Sequence, residues 1–320
     1  MPYIPVRGVN HYYEWIGTSA HSRTFKKPVM VFVHGWGGSA RYWESTAQAL
    51  SDTFDCLLYD LRGFGRSCLP ADQPPRPNNQ QATLQQSIDK TVAVETELLQ
   101  AAESSEDLIY ELESYADDLA ALLEALGLER VYLNAHSMGA SIAVFFLNLY
   151  PHLVERAILT CSGIFEYDEK AFGAFYRFGG YVVKFRPRWL SKIPFANRMF
   201  MARFLHRPLP DAISKAFLED FLLADYQAAL GTIFTSVSKK ATEVMPQEFA
   251  KLTVPTLLIA GEHDIIIPAS MGQQAANLSE KVEFCLISDT AHFPMMEDSE
   301  TYLQRVRDFT QVKQPSPSSN

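Results

Sequence analysis

Short apolar runs recur along the chain with helix-patterned stretches between them: Val29 to Val33, Cys56 to Tyr59, Val131 to Asn134, Ala157 to Thr160, Thr256 to Ala260 and Val282 to Ile287. Continuous rather than alternating apolarity is what a strand covered on both faces requires. The runs therefore predict an α/β architecture, a mostly parallel sheet flanked by helices. HYYEWI, His11 to Ile16, follows Gly8-Val9-Asn10 and predicts an antiparallel strand ahead of that sheet. Leu112, Tyr115, Leu119, Leu122, Leu123 and Leu126 fall at offsets 0, 3, 7, 10, 11 and 14, one stripe of a helix that Gly127 closes. Tyr302, Leu303, Val306 and Phe309 predict a last short helix, and residues 314–320 a disordered tail.

Two segments break the alternation. A Pro/Gln/Asn-rich linker, PADQPPRPNNQQ, lies in an insertion over about residues 68–110. Residues 164–248 are helical by pattern and carry no strong strand run. A long helical excursion between two strands predicts a lid or cap. The expected organisation is a core over 1–163 with its insertion, a helical cap over 164–248, a second core part over 249–313 and the tail.

Composition narrows the class. Of 320 residues, 47% are hydrophobic and 20% charged, which suits a globular chain with a large core. No run approaches the roughly 18 apolar residues needed to cross a bilayer. The start, MPYIPVRGVN, lacks the apolar stretch of a secretory signal, so a cytoplasmic protein is expected. Cys56, Cys68, Cys161 and Cys285 show no ligand spacing and predict reduced thiols and no structural metal. A net charge of −9 argues against nucleic acid as a partner. That charge is segregated: Thr91 to Glu129 holds eleven acids and no base, whereas Lys170 to Pro210 holds nine bases, no acid and many aromatics.

The candidate chemistry sits at the ends of the apolar runs. Ala135-His136-Ser137-Met138-Gly139 joins the strand VYLN to the apolar helix SIAVFFLNL. A serine there occupies a tight strand-to-helix turn, whose flanking positions are small because side chains at Ala135 and Gly139 would collide across it. The turn exposes the Ser137 hydroxyl and aims the Met138 N–H at an oxyanion formed beside it. Serine needs a base held by a third group. His292, in DTAHFPMMED, and Asp264, in LLIAGEHDIIIP, each follow a predicted strand and would emerge at the same edge. After the strand VMVFV comes His34-Gly35-Trp36-Gly37-Gly38, and the Trp36 N–H is the natural second oxyanion donor.

HGWGG, YDLRGFGRS, AHSMGA, GEHD and AHFPMMED, in that order, make the chain resemble the α/β-hydrolase superfamily from roughly Val29 to Phe309. The resemblance implies an eight-stranded, mostly parallel sheet with a helical cap inserted after the sixth strand. It also implies Ser137 as nucleophile, His292 as base and Asp264 as acid. Ala135 and Ala291 stand where relatives usually have glycine, and both are small. In some relatives the acid follows the sixth strand, where Glu166 and Asp168 are the alternatives. The dehalogenases and epoxide hydrolases of this superfamily carry aspartate at the elbow; Ser137 points to acyl chemistry.

The expected function is a serine hydrolase for a carboxylic ester with a sizeable hydrophobic portion, needing no cofactor and no metal. The same residues would also serve a carbon–carbon bond hydrolase, a thioesterase or an acyltransferase. A hydrolase-like ligand receptor with slow turnover is a further alternative. Trp36, Phe172, Phe175 and Phe293 are expected to line the substrate pocket. Asp60, Arg62 and Arg66 read as a salt-bridged turn bracing the site, and His34 and His136 as structural. The basic aromatic cap reads either as a lid with a solvated face or as a peripheral contact for an anionic membrane surface.

Overall fold

The structure, a computed structural model, describes residues 3–17, 25, 27–67, 110–165 and 179–312. The insertion expected over about 68–110 and the tail over 314–320 therefore fall almost wholly outside the described residues.

Every predicted run is a strand: β1 (Tyr3–Val6), β2 (Val9–Ile16), β3 (Val29–Val33), β4 (Asp55–Tyr59), β5 (Val131–His136), β6 (Val154–Thr160), β7 (Thr256–Gly261) and β8 (Val282–Ile287) form one eight-stranded sheet. Its order is β1-β2-β4-β3-β5-β6-β7-β8. β1 pairs antiparallel with β2 and β2 antiparallel with β4; every other pairing is parallel. β1 is an element the apolar pattern does not announce, since YIPV is largely exposed and cannot be told from a loop by periodicity. Its hairpin turns at Arg7 and Gly8, with φ 45° and 81°, a two-residue turn of the kind that matches the strand twist. β2 accordingly starts at Val9, two residues ahead of the predicted His11.

The helices cover both faces. The predicted stripe is α2 (Leu112–Ala125): Leu112, Tyr115, Leu119, Leu122 and Leu123 are buried, and Gly127 follows in the left-handed region at φ 69°. α2 packs on α3 (Met138–Leu149), an almost wholly buried helix, to fill one side of the sheet. On the other side α1 (Glu44–Leu50) and the last helix, Ser299–Thr310, surround Trp43, Phe54 and Tyr302.

Between β6 and β7 the described chain is helical: residues 179–184, a turn at Arg188–Lys192, α4 (Ala196–Met201), α5 (Asp211–Leu223), α6 (Tyr226–Ser236) and α7 (Lys239–Ala250). α7 packs on α3, and its Met245 and Phe249 join the main core. α5 rests on the loop after β3, where Asp220 accepts from Ser39 Oγ at 2.6 Å and pairs with Arg41 at 2.6 Å. α5 thus lies over the carboxyl edge of the sheet, at the loop after β3, whereas α7 is a layer of the core.

Candidate active site

β5 delivers the chain to that edge and α3 begins at Met138, so the residue between must reverse direction in one step. Ser137 does so at φ 54° and ψ −124°. A non-glycine residue there stores about 1–3 kcal/mol of strain and needs its surroundings to hold it. Its N–H donates to Thr160 O at 2.9 Å, and its carbonyl accepts from Ala140 and Ser141 at 2.8 and 3.1 Å.

The turn is pressed onto the loop after β3. A Cβ at Gly139 would lie 2.4 Å from the His34 carbonyl oxygen, and one at Gly35 would lie 3.1 Å from Ser137 Cβ. The nearest obstacle at 139 is therefore backbone of the β3 loop, not residue 135 across the turn as the sequence suggested. The contact seats the loop that carries Trp36 against the start of α3. Among the described residues neither the Trp36 N–H nor the Met138 N–H has an intramolecular acceptor. Met138 opens a helix, whose first N–H groups have no acceptor within it, and Trp36 lies in the turn after β3.

His292 and Asp264 arrive from the loops after β8 and β7. His292 Nδ1 lies 2.7 Å from Asp264 Oδ2, and Nε2 lies 3.0 Å from Ser137 Oγ. A carboxylate only accepts, so Nδ1 carries the proton and Nε2 is left to accept from the serine hydroxyl. Asp264 Oδ1 accepts from the N–H groups of Ile266 and Ile267 at 2.8 and 3.1 Å. Burial alone would raise this carboxyl, but His292 and the two N–H donors outweigh it and hold it below the usual carboxylate range. Asp264 and His292 are buried, whereas Ser137 is half-buried and reachable.

Three further residues position this set, and none stood out in the sequence as doing so. Buried Glu297 receives four backbone N–H groups: Ala291 and Phe293 on Oε1 at 2.9 and 3.2 Å, His206 and Arg207 on Oε2 at 2.6 and 2.8 Å. It ties the residues on both sides of His292 to the chain that follows α4. His136 Nε2 donates to the His292 carbonyl at 2.7 Å, so its Nδ1 accepts from Tyr42 Oη at 3.0 Å, and Tyr42 accepts in turn from the Gly35 N–H. Burial, then the neighbouring His292, keeps His136 well below the usual histidine value, hence neutral. The signals were present as a Glu five residues after the His and a second His at the elbow, but only packing assigns their roles.

The turn after β4 is braced differently from the expectation. Asp60 binds Arg66 at 2.8 Å and the Ala40 N–H at 2.7 Å, while Arg62 leaves that turn to pair with Asp118 on α2 at 3.1 Å. His34 is structural: Nε2 accepts from Leu61 N–H at 2.9 Å and Nδ1 donates to Gly35 O at 2.8 Å.

Of the residues expected in the pocket, Phe172 and Phe175 lie outside the described residues, as do Glu166 and Asp168. The Trp36 indole N–H donates to Ala229 O on α6 at 2.9 Å, and its ring lies 5.5 Å from that of Phe221. Phe221 stacks on Phe200 at 5.0 Å, Phe200 lies 5.9 Å from Phe204, and Phe204 lies 6.1 Å from the His292 ring. This aromatic run, from Trp36 of the β3 loop through Phe221 and Phe200 of the inserted helices to Phe204 in the turn after α4, reaches the site. Phe293 is buried among Tyr42, His136 and Phe217, behind His292.

Two groups of potential metal ligands occur among the described residues, His136 with Cys161 and His292, and the exposed His206 with His263 and Asp289. In the first, all four histidine nitrogens already hold hydrogen bonds. In the second, the two rings stack at 4.0 Å and 26°.

Residues 28–299 match the family model described as alpha/beta hydrolase fold. Over 314 residues the chain is 24% identical to Uncharacterized hydrolase YugF of Bacillus subtilis (strain 168), covering 95% of each chain. Its structure is similar to that of the esterase EaEST from Exiguobacterium antarcticum, with a TM-score of 0.70 and 17% identity over 97% of this chain and 98% of that one. A thermophilic esterase from Thermogutta terrifontis gives a TM-score of 0.68 at 20% identity, covering 97% and 98%. With the sheet order, the strained elbow and a family match spanning most of its length, the chain belongs to the alpha/beta hydrolase fold family and is a hydrolase of that fold.

Proposed function

We propose that the chain hydrolyses a carboxylic ester with a sizeable apolar portion through an acyl-enzyme on Ser137. The observation that carries this reading is the unbroken line of hydrogen bonds from Asp264 through His292 to the hydroxyl of a strained, half-buried serine. As Ser137 Oγ bonds to the ester carbon, its proton passes to His292 Nε2, and Asp264 holds the ring and stabilises the imidazolium. The tetrahedral oxyanion takes the N–H groups of Trp36 and Met138. Nε2 then gives its proton to the departing alcohol. Water repeats the cycle on the acyl-enzyme, leaving the carboxylic acid and free Ser137. The apolar part of the ester lies along Trp36, Phe221, Phe200 and Phe204.

Hydrolysis of p-nitrophenyl esters of increasing chain length tests this directly. Ser137→Ala should lower kcat by about 10⁴-fold or more and abolish covalent labelling by a fluorophosphonate. Undiminished turnover in that variant overturns the mechanism. Labelling of the wild-type chain without multiple turnovers would favour a slow ligand receptor over an esterase.

A further inference from the structure

We propose that the outer face of the inserted helices, over residues 181–199, docks on an anionic lipid bilayer. Exposed positions recur there at helical intervals: Tyr181, Lys184 and Phe185, Arg188 and Trp189, Lys192 and Ile193, Phe195, then Arg198 and Met199. Backbone bonds from Phe185 to Tyr181, Ile193 to Leu190 and Met199 to Phe195 link these turns. Intervening Val182, Leu190, Ala196 and Phe200 turn inward against Leu218, Phe221 and Leu222. The inner stripe is thus already satisfied, yet the outer one carries the larger apolar groups. Its six hydrophobic residues are between 42% and 78% exposed. A soluble surface scatters such residues singly, and a concentration of them marks an interaction face.

Charge selects the occupant. Each apolar position on this face stands beside or one turn from a base, and from Lys170 to Pro210 the chain has no acid at all. Arg198 shares its charge with Asp211 at 2.9 Å, and exposed Arg188 and Lys192 keep the face basic. In a chain of net charge −9 this local sign orients the molecule, cap first, toward a negative surface. Aromatic rings that sit at headgroup depth, flanked by Lys and Arg, suit the interface of an anionic bilayer. No helix among the described residues is long and apolar enough to cross a membrane, so the contact is peripheral. On the inner side, Phe200 of α4 and Phe204 of the turn after it lead to His292. Docking would therefore present the aromatic run to a lipid-like ester.

Co-sedimentation of the full chain with vesicles of phosphatidylcholine alone, or with phosphatidylglycerol added, decides the matter. Partition onto the anionic vesicles at low salt should exceed that onto zwitterionic ones by about tenfold or more and fall as salt screens the charges. Arg188→Glu with Lys192→Glu, and separately Phe185→Ser with Trp189→Ser and Met199→Ser, should each lose about tenfold in partition while keeping the wild-type Tm. Trp189 is the exposed indole, so anionic vesicles should shift tryptophan emission to the blue in the wild type and not in Trp189→Phe. Ser137→Ala should bind as the wild type does, which separates docking from catalysis. No binding, equal binding to both vesicle types, or unchanged binding by the two surface variants overturns the proposal. So does a dimer in solution that the same variants abolish, since the patch would then be covered by a second copy.

Discussion

Ser137 stores backbone strain at the point where chemistry is proposed, and the groups around it spend their hydrogen bonds on holding one protonation pattern. Asp264 is the clearest case. Its carboxylate fixes the proton on His292 Nδ1, so an amide at that position would present the wrong donor and leave Nε2 unable to accept. Asp264→Asn should lower kcat by about 10⁴-fold with little change in KM, read on the same p-nitrophenyl esters. A loss of under about tenfold would mean that another acid serves His292. The depressed carboxyl also contributes stability that is present above the ordinary value near 3.8 and lost as pH falls through its lower folded value.

At the scale of elements, the site is an agreement among loops that have no local reason to meet. Glu297 is the knot in that agreement, because its two oxygens join the His292 loop to the chain after α4. Gly261 lets the loops touch: a Cβ there would fall 2.0 Å from the Ala291 carbonyl oxygen. Glu297→Ala leaves buried N–H groups without acceptors and should cost about 3 kcal/mol of stability, with kcat falling as the His292 loop loosens. Glu297→Gln keeps one acceptor oxygen and should fall between the two. Denaturant melts alongside steady-state kinetics check both effects, and unchanged stability in the alanine variant would refute the role.

Across the whole molecule, three buried histidines other than His292 are held neutral in the folded state among the described residues. Burial lowers His11, His34 and His136 beneath the ordinary 6.5, most strongly His136. Below that value the unfolded chain binds protons that the folded chain refuses, so stability rises with pH. The Tm should therefore decline as pH falls from about 7 to 5, before most carboxylates titrate. A flat Tm over that interval would contradict the neutral assignments.

Much of this was readable from residue order. Apolar runs located β3 through β8, most plainly β3, β4 and β7, which are buried throughout, whereas the edge strand β8 is buried only at Val282 and Ile287; the α2 stripe showed because a helix must keep one face inside. Ser137, His292 and Asp264 could be named because each follows such a run, and strands in a parallel sheet end at a common edge. What residue order could not express was any relation between distant positions whose only link is contact in space. The pairing of Arg62 with Asp118, the four donors on Glu297, the seat of Gly139 on the His34 carbonyl and the aromatic path from Trp36 to Phe204 are of that kind. Patterns of solubility travel along a chain one residue at a time. Hydrogen-bond partners and ring contacts exist only once the folded chain has brought its segments together.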